Sequence, residues 1–139
     1  VTASNGGGVT PVSGNGSIMA NALTAGPFES FTLIDQNGGT LVSGDKISLL
    51  TWNGHFYLKP STSGSRPLQA TSTTVTATEQ FTIIRIAGTG PITNGDNVAL
   101  QANTGWYVCA ENGGGGTGTI NANRTAIGSW ETFRFETCE

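Results

Sequence analysis

Charged side chains are scarce in this chain of 139 residues, where Lys, Arg, Asp and Glu together make up 11% of the total. An average soluble domain has about 25%. The six Lys and Arg residues are scattered and the formal net charge is −3, which argues against nucleic acid as a partner because such a partner requires a basic stripe. No apolar run approaches the roughly 18 residues of a membrane span. We therefore expect neither a nucleic-acid nor a membrane partner.

Residues suited to catalysis are also few, with one histidine and two cysteines. His55 would have to act alone, without a nucleophile-elbow motif, and no Cys or His spacing suits a metal. Glycoside hydrolysis requires two carboxylates with separated pKa values. Asp96, Glu111 and Glu131 are available, but Asp96 lies in a Gly-Asp turn where a local bond to the backbone is expected. We predict no enzyme activity, no cofactor and no metal.

Small polar residues dominate instead, because Gly, Ser, Thr and Asn account for 64 of the 139 residues. The surface is therefore expected to be mostly neutral and rich in hydroxyl and amide groups. Cys109 and Cys138 either form one disulfide or remain as two buried free thiols. The disulfide is the preferred interpretation. A single disulfide in such a chain is typical of an extracytoplasmic setting. We predict a secreted, extracellular protein.

Three windows of fourteen residues align without a gap, about fifty residues apart: 18–31, 68–81 and 120–133. Each opens with an aliphatic residue and ends in Phe. Between these ends, each window has Ala two places after its start and Glu at place eleven. The recurring residues are Ala20, Ala70 and Ala122; Glu29, Glu79 and Glu131; and Phe31, Phe81 and Phe133. Internal repeats of this kind identify a repeated architecture.

A second motif recurs upstream, where 44–49 matches 95–100 and each copy leads to a Gly and a Tyr-aliphatic pair. Each unit thus predicts four short strands separated by Gly, Asn and Ser turns, with no helical periodicity. Three such units predict an all-β protein, a single β-trefoil domain with repeats at 1–43, 44–94 and 95–139. The segment 95–107 has no counterpart in repeat 1, so we expect eleven of twelve strands, with the first strand of repeat 1 missing.

The chain resembles the fascin-like β-trefoil superfamily in four segments: Gly95–Leu100, Trp106–Val108, Asn112–Gly116 and Ala122–Phe133. It looks most similar to secreted bacterial carbohydrate-binding modules of family ninety-two. That resemblance implies binding of β-linked glucans around a Trp-Glu pair in each repeat. Here only Trp130-Glu131 matches, since Phe28-Glu29 and Thr78-Glu79 stand in the other repeats. Threefold equivalent binding is therefore not expected.

Strand alternation places Phe133 and Phe135 on the core face and directs Trp130 outward. An outward Trp beside a Gly-rich turn offers a flat apolar platform for a sugar ring. The alternative is a Trp packed beneath a neighbouring loop. Side chains near this Trp in sequence could meet sugar hydroxyls. These are Asn112, Asn121, Asn123 and Arg124.

Several other residues are candidates for sugar binding. Glu131 has core-face parity and recurs in every repeat, so it either accepts hydrogen bonds from the adjoining turn or binds sugar hydroxyls. The same two roles are open for its counterparts Glu29 and Glu79. Phe28 is the aromatic residue of repeat 1 at the Trp130 place, and Trp52, at a predicted turn, would provide a second platform in repeat 2.

The function that we expect is non-catalytic binding of a polysaccharide, most simply a β-glucan. The chain would act as a module attached to a glycoside hydrolase domain of a secreted polysaccharide-degrading enzyme. Two alternatives remain: a free-standing lectin and a fascin-like structural domain that binds actin.

Overall fold

The computed structural model describes residues 30–52, 54–113 and 119–136, together with the backbone of two short strands at 2–3 and 18–19. These residues contain eleven β-strands. The strands are β1 Thr2–Ala3, β2 Ile18–Met19, β3 Phe31–Asp35, β4 Lys46–Thr51, β5 Tyr57–Pro60, β6 Leu68–Ser72, β7 Phe81–Arg85, β8 Asn97–Ala102, β9 Tyr107–Ala110, β10 Ile120–Arg124 and β11 Phe133–Arg134. Three single turns of 3-10 helix lie at Ala77–Glu79, Glu111–Gly113 and Ser129–Glu131.

Strand pairing repeats from one unit to the next. The last strand of each unit pairs antiparallel with the first strand of the next, so that β3 pairs with β4 and β7 with β8 over five residues each. The first and last strands of a unit also pair, β4 with β7 and β8 with β11. In these pairs Ile47 opposes Phe81, and Val98 opposes Phe133 at the matching position. The all-β prediction and the repeated four-strand unit are confirmed.

The core consists of the aliphatic and Phe residues that alternate along these strands. Phe81 and Ile83 of β7 are 0% and 1% exposed, while Phe133 and Phe135 pack against the same cluster at partial exposure. Burial of one strand face follows from the two-residue alternation of side chains. Strand parity had assigned Phe133 and Phe135 to the core face, and the structure confirms this.

The Gly-Asp turns form as expected from the sequence. Asp45 Oδ2 accepts a hydrogen bond from Val42 N, and Asp96 Oδ2 accepts one from Thr93 N, both at 2.9 Å. The preceding glycine, Gly95 in the second copy, has a φ of +93°, in a region that other residues rarely adopt. These turns start β4 and β8, which join neighbouring repeats. Among the described residues, no helix has the length and hydropathy to cross a membrane.

Candidate functional site

Trp130 lies on the surface in the 3-10 turn Ser129–Glu131 and is 41% exposed. One edge of its indole faces the turn Glu111–Gly113, since a Cβ added to Gly113 would lie 3.7 Å from Trp130 Nε1. Ile127, itself 37% exposed, precedes Trp130 in the same loop. The outward direction expected for Trp130 is confirmed. The indole is supported by a turn at one edge and keeps a substantial accessible surface.

Arg124 is the centre of a polar cluster next to this turn. Its Nη2 donates to Glu111 Oε1 at 2.7 Å and its Nη1 donates to Asn123 Oδ1 at 2.8 Å. Its Nε lies 3.5 Å from Glu131 Oε1. The arginine thus joins the turn that carries Glu111 to the turn that carries both Trp130 and Glu131. Exposed ion pairs contribute little to stability, but this network is partly buried.

A β-bulge brings Asn123 and Arg124 together. Neighbouring strand residues normally point to opposite faces, whereas the register of β10 against β9 shifts between Ala122 and Arg124. Asn123 is the extra residue, and bulges redirect side chains in this way. Repeat 2 has an equivalent shift. Tyr57 and Leu58 are consecutive residues of β5, but their partners in β6, Ser72 and Ala70, are two residues apart. The bulge is therefore part of the repeated unit.

Glu79 and Glu131 occupy equivalent places and both accept hydrogen bonds from the turn that precedes them. Glu131 Oε2 accepts from Gly128 N at 2.9 Å, and Glu79 Oε1 accepts from Thr76 N at 2.8 Å. Both residues are buried, Glu131 at 6% and Glu79 at 3% exposure. Of the two roles left open by the sequence, this geometry supports the structural one for Glu79. Glu131 has the same role and additionally contacts Arg124.

The environment of Glu79 strongly favours the ionised carboxylate. Burial alone would raise its pKa, but hydrogen bonds from Thr76, Thr78 and Ser72 outweigh that effect and lower the pKa from 4.5 to about 2. The hydroxyl contacts are 2.6 Å from Thr76, 2.7 Å from Thr78 and 2.9 Å from Ser72. With its oxygens occupied in this way, Glu79 is poorly placed to bind a sugar.

Cys109 lies beneath the Arg124 cluster. Its thiol is fully buried and lies 3.4 Å from Glu111 Oε1. Burial raises the pKa of this thiol to about 12, and the neighbouring Glu111 and Glu131 act in the same direction. Cys109 is a free thiol in this structure. Cys138 lies outside the described residues, so the disulfide stays a prediction.

The predicted site residues do not all lie in one place. Arg124 contacts both Asn123 and Glu131, and Trp130 precedes Glu131 in the same turn. Asn112 is exposed in the turn that faces Trp130, with a φ of +56°. The other five residues fall elsewhere or beyond the described part: Glu79 lies in the turn Ala77–Glu79 of repeat 2, Asn121 lines a separate groove, Trp52 is 51% exposed on the β4–β5 hairpin, and Phe28 and Glu29 lie outside the described residues.

Two residues at the site were not among the sequence candidates. Glu111 holds Arg124, and Gly113 approaches the indole of Trp130. Glu111 had been considered only as a possible catalytic acid. A signal for its role existed in the sequence. Residues 108–115 match residues 1–8 of repeat 1, and Glu111 stands at the place of Ser4 in that match. Within the described ranges, no group of three or more His, Cys, Asp or Glu residues is arranged to hold a metal ion.

Comparison with solved structures supports the fold. The chain is similar to the designed 3-fold symmetric protein ThreeFoil, with a TM-score of 0.67 and 16% identity, over 88% of this chain and 81% of that one. It is also similar to the SDF2-like protein from Arabidopsis thaliana, with a TM-score of 0.63 and 13% identity, over 79% and 71% of the two chains. No family model matches the chain, and neither does any curated protein sequence.

The fold is therefore a β-trefoil-like arrangement of three repeated units, of which the second and third each have four strands in the described residues. At 13% and 16% identity, the likeness establishes the architecture alone. The resemblance to fascin-like proteins and to carbohydrate-binding modules of family ninety-two rests on the sequence motifs, and no family match adds to it. Function has to be argued from the surface around Trp130.

Proposed function

We propose that this domain binds a polysaccharide without catalysis, and that a β-glucan is its ligand. One observation carries the proposal: Trp130 exposes 41% of its surface in a turn whose next residue, Glu131, contacts Arg124 and, through it, Asn123. A pyranose ring has an apolar face and a rim of hydroxyl groups. It therefore requires an aromatic surface flanked by hydrogen-bonding groups, as this site provides.

Each residue of the site has a separate role in this proposal. Trp130 stacks against the sugar ring, while Asn123 and Arg124 hydrogen-bond to its hydroxyls. Glu131 is a positioning residue, because it accepts a bond from Gly128 N and holds the turn that presents the indole. Glu111 orients Arg124 through their 2.7 Å contact. A single exposed site of this kind should bind weakly, since ordering costs offset part of the contact energy.

A secreted setting and a glycoside hydrolase partner in the same polypeptide extend this proposal. A weak single site is useful on a polymer that is held close by a linked domain, because linkage raises the effective concentration. The low content of charged residues and the abundance of hydroxyl and amide groups suit a polysaccharide surface.

Affinity electrophoresis in gels containing β-1,3-, β-1,6- or β-1,4-glucan tests the proposal. We expect one glucan to retard the protein. Trp130→Ala should lower the affinity roughly 10- to 100-fold, because burying one large apolar side chain contributes about 1.5–3 kcal/mol. Trp52→Ala is the matched control, since Trp52 is the other strongly exposed Trp of the described residues. Retardation that survives Trp130→Ala but disappears in Trp52→Ala would move the site to repeat 2.

Binding to none of the glucans would contradict the proposal. Cosedimentation with filamentous actin would then test the fascin-like alternative.

A further inference from the structure

Two strand edges of the barrel have no neighbour among the described strands. The first and last strands of the units pair side by side in the order β3, β4, β7, β8 and β11. β3 ends this run at one side, where it pairs with β4, and β11 ends it at the other, where it pairs with β8. Three units with two such strands each would form a closed run of six. The described strands therefore leave one strand position between β11 and β3, which we call the seam.

The apolar side chains along the seam are incompletely buried. Phe81 and Ile83 belong to β7, which has a neighbour on each side, and both are fully buried. The equivalent residues at the two borders of the seam pack against the same core but are only partly buried: Phe31, Leu33, Phe133 and Phe135. A strand in the seam would cover these side chains, and removing apolar surface from water favours its binding.

Leu33 directs unpaired backbone groups into the seam. In repeat 2 the residue at the same place is Ile83, whose O accepts from Gly44 N at 2.7 Å and whose N donates to Asp45 O at 3.0 Å. In repeat 3, Phe135 makes the same two bonds with its own Gly-Asp turn, each at 2.7 Å. Leu33 pairs with β4 in the register in which Ile83 pairs with β8, so its N–H and C=O point away from β4. Within the part of the chain that the structure describes, no residue bonds to them there.

The strands at the two equivalent positions, β4 and β8, define the chemistry of an occupant. Both follow the same pattern of Gly-Asp, one exposed residue, an aliphatic residue, a small residue and leucine, in residues 44–49 and 95–100. The aliphatic and the small residue are buried in both copies: Ile47 and Ser48, and Val98 and Ala99. The repeated unit thus states which sequence fits the seam and in which register.

We propose that the seam binds an extended segment of a partner polypeptide, with the pattern Gly-Asp-x-aliphatic-small-Leu, as an added β-strand. The glycine N–H of this segment donates to Leu33 O, and its aspartate C=O accepts from Leu33 N, as at the two equivalent positions. Its other edge pairs with β11 as β8 pairs with β7. Backbone bonds supply the affinity in this mode of recognition, and the pocket for the aliphatic side chain supplies the specificity. The proposal does not depend on sugar binding at Trp130.

Amide hydrogen exchange, followed by NMR, compares Leu33 with Ile83 in the same molecule. In the protein alone, we expect the Leu33 N–H to exchange at least tenfold faster, since the Ile83 N–H is bonded to Asp45 O. An octapeptide with the sequence of residues 95–102 carries the stated pattern. At millimolar concentration it should slow exchange at Leu33 at least tenfold and raise the midpoint of thermal unfolding, because it binds the folded state.

The matched control is the same octapeptide with proline at the place of Ala99. The two peptides have equal charge and length. Proline has no N–H to donate to a neighbouring strand and is excluded from central strands. We therefore expect the proline peptide to bind at least tenfold more weakly and to leave exchange at Leu33 nearly unchanged.

Several results would overturn the proposal. A Leu33 N–H as protected as that of Ile83 without peptide would show that the seam is already filled. Exchange at Leu33 that slows with protein concentration alone would place a second copy of the chain there. Equal slowing by both peptides would indicate unspecific association, and no slowing by either would show that the seam does not accept a strand. None of these results bears on the Trp130 proposal, which the glucan gels test separately.

Discussion

At the scale of single residues, the glutamate that recurs in the repeats shows that a recurring position in the sequence does not by itself reveal the role of the side chain. Glu79 and Glu131 each hold the turn before the last strand of their unit, through backbone bonds from Thr76 and Gly128. The recurrence of this glutamate in the sequence indicated importance but left its role open. The side chains that contact it differ between repeats, Ser72 in one and Arg124 in the other, so sequence comparison alone could not identify a shared function.

Glu79→Gln should reduce the free energy of unfolding at pH 7 by about 1–3 kcal/mol, because hydrogen bonds to a charged group contribute more than neutral ones. The folded-state pKa of about 2 lies below the ordinary 4.5. The carboxylate therefore stabilises the fold fully above about pH 4.5 and loses this effect as pH falls toward 2. Urea unfolding of both proteins between pH 7 and pH 2 should show the difference in stability shrinking over that range.

Glu136→Gln is the control for this experiment. Glu136 pairs with Arg134 at 2.9 Å, but both side chains are about two-thirds exposed, at 63% and 65%. Exposed pairs of this kind contribute about 0–1 kcal/mol. If Glu136→Gln destabilised the protein as much as Glu79→Gln, the structural role given to Glu79 would be wrong.

At the scale of elements, the turn that starts the first strand of a unit is specified by its glycine and aspartate. Gly95 N donates to Phe135 O at 2.7 Å, and Gly44 N donates to Ile83 O at the same distance. Both glycines have positive φ values, +93° and +101°. The turn thus joins the first strand of a unit to the last, and the same geometry recurs in two repeats.

Gly95→Ala should destabilise the protein by about 1–2 kcal/mol, because an L-residue is disfavoured at positive φ. Space is not the cause, since the nearest atom to an added Cβ is Arg134 Nη2 at 3.6 Å. Gly95→Asn should cost less than Gly95→Val, because Asn tolerates positive φ and β-branched residues do not. Thermal unfolding of the three variants measures this order, and a Val variant as stable as the Asn variant would contradict it.

The sequence predicted these elements better than it predicted the site. Strands and turns follow from alternation and from Gly-Asp spacing, both of which are local signals. The bulge at Asn123 depends on how β10 pairs with β9, which no local pattern reveals. Without the bulge, Asn121 and Asn123 were expected to share one site. The structure instead places Asn123 beside Arg124 and Asn121 in the groove between repeats 2 and 3.

At the scale of the whole molecule, the repeats contribute unequally to the core. Phe81 is fully buried, whereas its equivalent Phe133 is half-buried and packs at the margin of the core. The repeat pattern in the sequence predicted three equivalent positions. The inequality arises because burial depends on which strands cover each position, a property of the assembled fold.

Phe81→Ala should therefore lower the free energy of unfolding by about 3–5 kcal/mol, the usual cost of removing a buried Phe. Phe133→Ala should cost clearly less, because part of its surface already contacts water. Guanidinium-induced unfolding of the two variants gives the comparison directly. Equal losses would contradict this expectation and would indicate that repeats 2 and 3 are energetically equivalent at this position despite the difference in burial.

The central claim is that a sugar ring stacks on the exposed face of Trp130. The chain has three Trp residues, so proton–nitrogen NMR spectra should contain three indole N–H resonances, of which Trp130→Phe identifies one by its disappearance. We predict that titration with an oligosaccharide of the retarding β-glucan shifts this resonance, while those of Trp52 and Trp106 stay in place. A Trp130 resonance that does not move under saturating sugar, while another indole resonance shifts, would contradict the claim.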